Sequence, residues 1–122
     1  MDKNTNKHQR YSVDQWSSDE TKVWWARVYV AGNYQSAEMV CRECCFPKGL
    51  CVTLEPTKYI FAGGTEDGVC VGLIQYVPFP EKKEILVEKA VFIGKRIAEI
   101  NCQWSFSIIT PTDSIFYSRR KK

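Results

Sequence analysis

The sequence predicts an α+β fold: a mostly antiparallel sheet of about six strands with two helices on one face. Three features predict it. Short runs alternate apolar and polar residues, as strands do; two longer stretches space their apolar residues as helices do; and the two kinds follow one another as β-α-β-β-β-α-β-β.

The first strand comes after a polar, aperiodic segment, residues 1–20, which is expected to be mobile. Residues 21–122 are then a single ligand-binding domain, since 122 residues is one domain's length. From Val23 the chain alternates. Ala26, Val28 and Val30 form the apolar side that should meet the core, and Trp25, Arg27 and Tyr29 the other, odd for a plain solvent face.

"AGNYQS" breaks this strand and offers Asn33 or Ser36 as a helix N-cap. Ala37, Val40, Cys41, Cys44 and Cys45 then make an amphipathic stripe, which Pro47 and Gly49 should stop. The crowded "CRECCFPKGLC" is read through that stripe. Cysteine serves as a small buried hydrophobe there, whereas structural zinc wants four ligands, commonly as two separated pairs. The only histidine, His8, lies in the loose N-terminal segment. No metal and no cofactor is expected.

Three strands are expected between Leu50 and Tyr76: Leu50 to Glu55, then "TKYIFA" beyond Pro56, then "VCVGLIQY" after a "GGTEDG" turn. The last is apolar on both faces, so it should be central or covered by another subunit. "PFPEKKE" opens the second helix with Pro80 and Glu81 in its first turn, and Leu86, Ala90, Ile93, Ile97 and Ile100 form its stripe. Gly94 inside that stripe implies a close backbone contact. "WSFSIIT" and "SIFYSRR", joined by "TPTD", close the chain as a hairpin.

The composition bears on function. No apolar run approaches the ~20 residues of a membrane span, and no secretory signal precedes the cysteines, so a reducing cytoplasm is expected. With no nucleophile–base pair in view, no catalytic residue is assigned and the chain is expected not to be an enzyme. Binding has better support. Aromatics stack on bases, arginines pair with phosphate oxygens, and hydroxyls and amides take ribose hydroxyls. The ligand-binding candidates are Arg27, Tyr76, Phe79, Asn101, Gln103, Thr110, Thr112, Arg119 and Arg120. A net charge of +3, with Arg119, Arg120, Lys121 and Lys122 at the end, leaves a small nucleic-acid-binding protein as the alternative.

"GLCVTLEPTKYIFAGGTEDGVCVGLIQYVPFP" and "CQWSFSIITPTDSIFYSRR" together resemble the phage Thoeris anti-defence family. The resemblance implies a phage-encoded protein in the host bacterial cytoplasm that sequesters, without cleaving it, a glyco-cyclic ADP-ribose signal made by TIR-domain enzymes. It also implies a separate site for cyclic oligonucleotides and a homo-oligomer, from dimer to hexamer. Where the family has a pattern nearer Y-P-R-F-P, this chain reads Tyr76-Val77-Pro78-Phe79-Pro80, which moves the phosphate contacts to Arg27, Arg119 and Arg120. Bare aromatics opposite the helices point to binding sites at subunit boundaries.

Overall fold

The computed structural model describes residues 15–46, 50–76 and 80–120. They form β1 (Trp25–Ala31), α1 (Tyr34–Cys45), β2 (Val52–Phe61), β3 (Gly64–Ile74), α2 (Lys83–Ile100), β4 (Ser105–Ile109) and β5 (Ser114–Ser118). The strands make one sheet in the order β2-β3-β1-β4-β5, every neighbouring pair antiparallel. Both helices pack on one side, as expected.

Alternation along the strands builds the core. Ala26, Val28 and Val30 sit opposite Leu73, Val71 and Val69, and Val28 is also opposite Ile108, so their side chains rise on one face. Ala37, Val40 and Cys41 of α1 and Leu86, Ala90, Ile93 and Ile97 of α2 close over them, all buried. Ile100, at the end of the α2 stripe, runs past the sheet and is exposed. Asn33 is the N-cap of α1: its side chain accepts the Ser36 N–H at 3.0 Å. Pro47 and Gly49 lie outside the described residues, and α1 ends at Cys45.

The sheet has five strands where the sequence suggests six. Pro56 does not interrupt β2, because β2 is an edge strand and the missing N–H of an edge proline can face away from the ladder. The "GGTEDG" turn contracts to Ala62 and Gly63, with Gly63 at φ 92°, and Gly64 to Asp67 extend β3. From Gly68 to Leu73, β3 is buried on both faces. Pro80 and Glu81 precede α2, whose N-cap is Lys82. Glu81 instead ties α2 to the end of β3: its N–H donates to Gln75 Oε1 at 3.0 Å and its carboxylate pairs with Lys89 at 3.0 Å.

Gly94 brings α2 down onto β4. A Cβ there would stand 2.5 Å from the ring of Phe106, which is buried and stacked on Tyr117 with centroids 4.9 Å apart. A glycine inside a helix ordinarily costs about 1 kcal/mol against alanine. Here the ring cannot withdraw, so overpacking outweighs propensity. Gly94→Ala is expected to lower stability by about 1–3 kcal/mol, read as an earlier urea midpoint at unchanged slope. A later midpoint would mean that the contact is slack.

Candidate functional site

The face of the sheet away from the helices is shaped by small residues on β3. Gly68, Cys70 and Gly72 point that way, and two neighbours on β2 lie across them: the Tyr59 ring over Gly68, and the Thr53 hydroxyl over Gly72. Trp25, Arg27, Tyr29 and Ala31 of β1 run beside them. The result is a shallow floor with aromatic side chains standing at its edges.

At the Ala31 end this floor deepens into a cavity of about 300 Å³. Tyr29, Ala31, Ser105 and Ser107 form its base, Tyr59 and Glu66 one wall, and Trp104, Phe116 and Arg120 the other. Trp104 is 52% and Phe116 69% exposed, so that wall offers ring faces to a ligand rather than filling its own core. Glu66 is in no ion pair among the described residues; its neighbour Asp67 takes Lys58 at 2.8 Å. Burial, and next the Cys70 thiol beside it, push the Tyr29 phenol above its ordinary value, with Arg27 pulling the other way. Burial likewise raises Tyr59. Both phenols are therefore neutral donors near pH 7. The wall chemistry suits a base between rings, with Glu66 to accept ribose hydroxyls.

The turn after α2 delivers Gln103 and Trp104 to this place. Cys102 adopts φ 56° where glycine is usual, and the Cys102 and Gln103 N–H groups donate back to the Glu99 and Ala98 carbonyls at 3.2 and 2.8 Å. Asn101 locks the turn. Its Oδ1 accepts the Asn33 N–H at 3.0 Å, and its Nδ2 donates to the Ile97 carbonyl at 3.0 Å and to Ser36 Oγ at 3.1 Å. It lies against Gly32, where φ is 144° and a Cβ would come within 2.6 Å of the amide carbon.

The ligand-binding candidates named from the sequence are scattered by this geometry. Gln103 and Arg120 line the cavity, and Arg27 sits one pleat repeat beyond Tyr29 on the same face. Arg119 holds the turn: its Nε and Nη2 donate to the Gln103 carbonyl at 3.1 and 2.6 Å, and it stacks 5.3 Å from the Trp104 ring. The Asn101 amide is engaged within the fold. Thr110 is buried and organises the β4–β5 turn, its Oγ1 accepting the Thr112 and Asp113 N–H groups at 3.2 and 2.9 Å, while Thr112 donates to the Asp113 carboxylate at 3.0 Å. Tyr76 follows β3 at the Trp25 end, away from the cavity. Phe79, Lys121 and Lys122 lie outside the described residues. Tyr59, Glu66, Trp104 and Phe116 were missed, although the alternation in β2 and β5 carries Tyr59 and Phe116 to the open face.

All six cysteines are free. Burial pushes Cys41 up to about 12, so it is a neutral thiol at any physiological pH, and burial raises Cys44 and Cys45 too. Among the described residues no three of His, Cys, Asp and Glu gather as a metal site, and no helix is long and apolar enough to cross a membrane.

No protein-family model and no curated protein matches the chain. Two solved structures share its fold. A phage SAM lyase in the apo state aligns with TM-score 0.66 at 16% identity, over 81% of this chain and 91% of that one. A phage SAM lyase in complex with S-methyl-5′-thioadenosine aligns with TM-score 0.55 at 18% identity, over 79% and 89%. The expectation that the chain is not an enzyme is overturned by this finding, since these two structures of its fold are named as SAM lyases, which are enzymes.

Asn101 is expected to act on stability and not by touching ligand. Asn101→Ala leaves the Asn33 N–H and the Ile97 carbonyl without this partner and should cost about 1–3 kcal/mol. Chemical denaturation measures it, and an unchanged midpoint would show that the amide is dispensable.

Proposed function

We propose that the chain is a phage enzyme that binds S-adenosylmethionine (SAM) in the open-face cavity and cleaves it as a lyase. The observation that carries this reading is the cavity itself: ring faces on two sides and a carboxylate in no ion pair among the described residues, on the fold solved elsewhere with an adenosine thioether bound. The base stacks between Tyr59 and the Trp104–Phe116 wall. Glu66 accepts the ribose hydroxyls, and the sulfonium lies over the electron-rich ring of Tyr29.

The chemistry makes small demands on the protein. Release of S-methyl-5′-thioadenosine requires heterolysis of the bond between sulfur and the methionine side-chain carbon. The electron pair goes to sulfur, which becomes a neutral thioether. The substrate's own carboxylate oxygen can form the new bond to that carbon, closing a five-membered lactone with no water added and no proton transferred. Leaving group and nucleophile both belong to the substrate, so the protein contributes by folding the substrate into the attacking conformation and excluding water.

The resemblance to the Thoeris anti-defence family points to the same half of a ligand, because cyclic ADP-ribose isomers also carry adenosine. They differ at the other end, where a pyrophosphate replaces the methionyl sulfonium. Incubation with SAM should yield S-methyl-5′-thioadenosine by liquid chromatography and mass spectrometry, and Glu66→Gln should lower kcat/KM at least tenfold. Intact SAM at high enzyme concentration, with a cyclic ADP-ribose isomer binding instead, would overturn the lyase reading.

A second copy of the chain completes the site in this reading. The cavity is open to solvent, with Trp104 and Phe116 half or more exposed beside it. Light scattering should give a multiple of 14.1 kDa at micromolar concentration. A monomer that turns over SAM would end the shared-site idea.

A further inference from the structure

We propose that Arg27 is the specificity-determining residue for the acidic end of the ligand, the group that separates adenosyl ligands bearing a carboxylate from neutral adenosine thioethers. The proposal rests on the adenosyl reading above and adds what the cavity lining alone does not contain.

Arg27 stands at the centre of β1, the middle strand, on the open face. Its neighbours across the two ladders are Gly72 and Ile109, neither of which carries charge. The guanidinium lies 4.6 Å from the centroid of the Trp25 ring. Stacking fixes the plane of the fork, which also lies by the Tyr29 hydroxyl, and the remaining N–H donors can meet a planar anion. No carboxylate answers it: the ion pairs among the described residues use Arg42, Lys58, Lys89 and Arg96. Glu55, an acid on the same face, lies two strands away, opposite Cys70. An arginine held flat, without an acid, in the middle of a sheet is better explained by a ligand than by the fold.

The spacing fits one ligand class. Gly72, opposite Arg27, and Glu66 are six positions apart on β3, about 20 Å by strand rise. Arg27 and Glu66 stand on the same face at those two points, and Tyr29 stands between them. A ligand whose ribose is on Glu66 and whose sulfur is over Tyr29 would bring an α-amino carboxylate towards Arg27. Arg120 lines the cavity at the opposite end, on the wall with Trp104 and Phe116, and Arg119 is held by the Gln103 carbonyl. Gripping one carboxylate oxygen leaves the other facing the carbon that it must attack.

Calorimetry with two uncleaved probes tests this on the full chain. S-adenosylhomocysteine carries the carboxylate, and S-methyl-5′-thioadenosine lacks it. Arg27→Gln should weaken S-adenosylhomocysteine at least tenfold and leave S-methyl-5′-thioadenosine within twofold, the latter also showing that the variant is folded. Equal loss for both probes, no loss for either, or discrimination that disappears with Arg120→Gln instead would overturn the role of Arg27. If neither probe binds the unsubstituted protein, the adenosyl reading fails and this proposal with it.

Discussion

The side chain of Asn101 joins two turns on which the rest of this architecture depends. One leads from β1 into α1, the other from α2 into β4, and both end beside the cavity. Three polar backbone and side-chain groups meet at one amide in a partly buried place, where leaving any of them unpaired is costly. That fixes Gly32 as a residue without a side chain, because the amide occupies the space a Cβ would need. It also fixes the left-handed turn at Cys102, and through it the positions of Gln103 and Trp104. The Arg119 fork then closes the same turn from the β5 side by taking the Gln103 carbonyl. Two residues that look like ligand groups in the sequence thus hold the frame of the site.

A division of labour between the two sheet faces follows. The helix face uses aliphatic side chains at the core positions of β1 and β3, Ala26, Val28 and Val30 against Val69, Val71 and Leu73, so it packs densely and leaves no room for ligand. The open face uses glycine and cysteine on β3, which lowers the floor and lets the β2 side chains lean across it. One alternation therefore serves core and site together. It also explains why β3 reads as apolar on both faces: one face is core, and the other is small.

Much of the fold was legible because it rests on periodicity. The β1 alternation, the Asn33 cap, the α1 and α2 stripes and the Gly94 contact are local signals, and each is realised. Pro56 misled because a proline's effect depends on whether its strand is at an edge, a tertiary fact. The site was less legible for the same reason. Arginines, threonines and amides were weighed by chemistry alone, and their engagement by distant backbone groups cannot be seen locally. Thr110 bonds only three residues away, but Arg119 reaches back sixteen and Asn101 sixty-eight. Glu66 falls within the expected "GGTEDG" turn, and the shorter turn of the structure places it within β3 instead.

Under the proposed lyase reading no catalytic pair is needed, and the reason is chemical. Searching for a nucleophile beside a base presumes that the protein supplies the reacting groups. A sulfonium is already a leaving group, and a carboxylate on the same molecule is already a nucleophile. What such a substrate lacks is conformation, because extended and folded forms compete in water and the two charges are hydrated. A site that stacks the base at one end and holds the acid at the other converts binding energy into that conformation. It needs ring faces, a ribose acceptor and a rigid cation at suitable separation, and these are ordinary binding residues. A protein built in this way is expected to look, residue by residue, like a receptor, and its catalysis resides in the distances between its contacts.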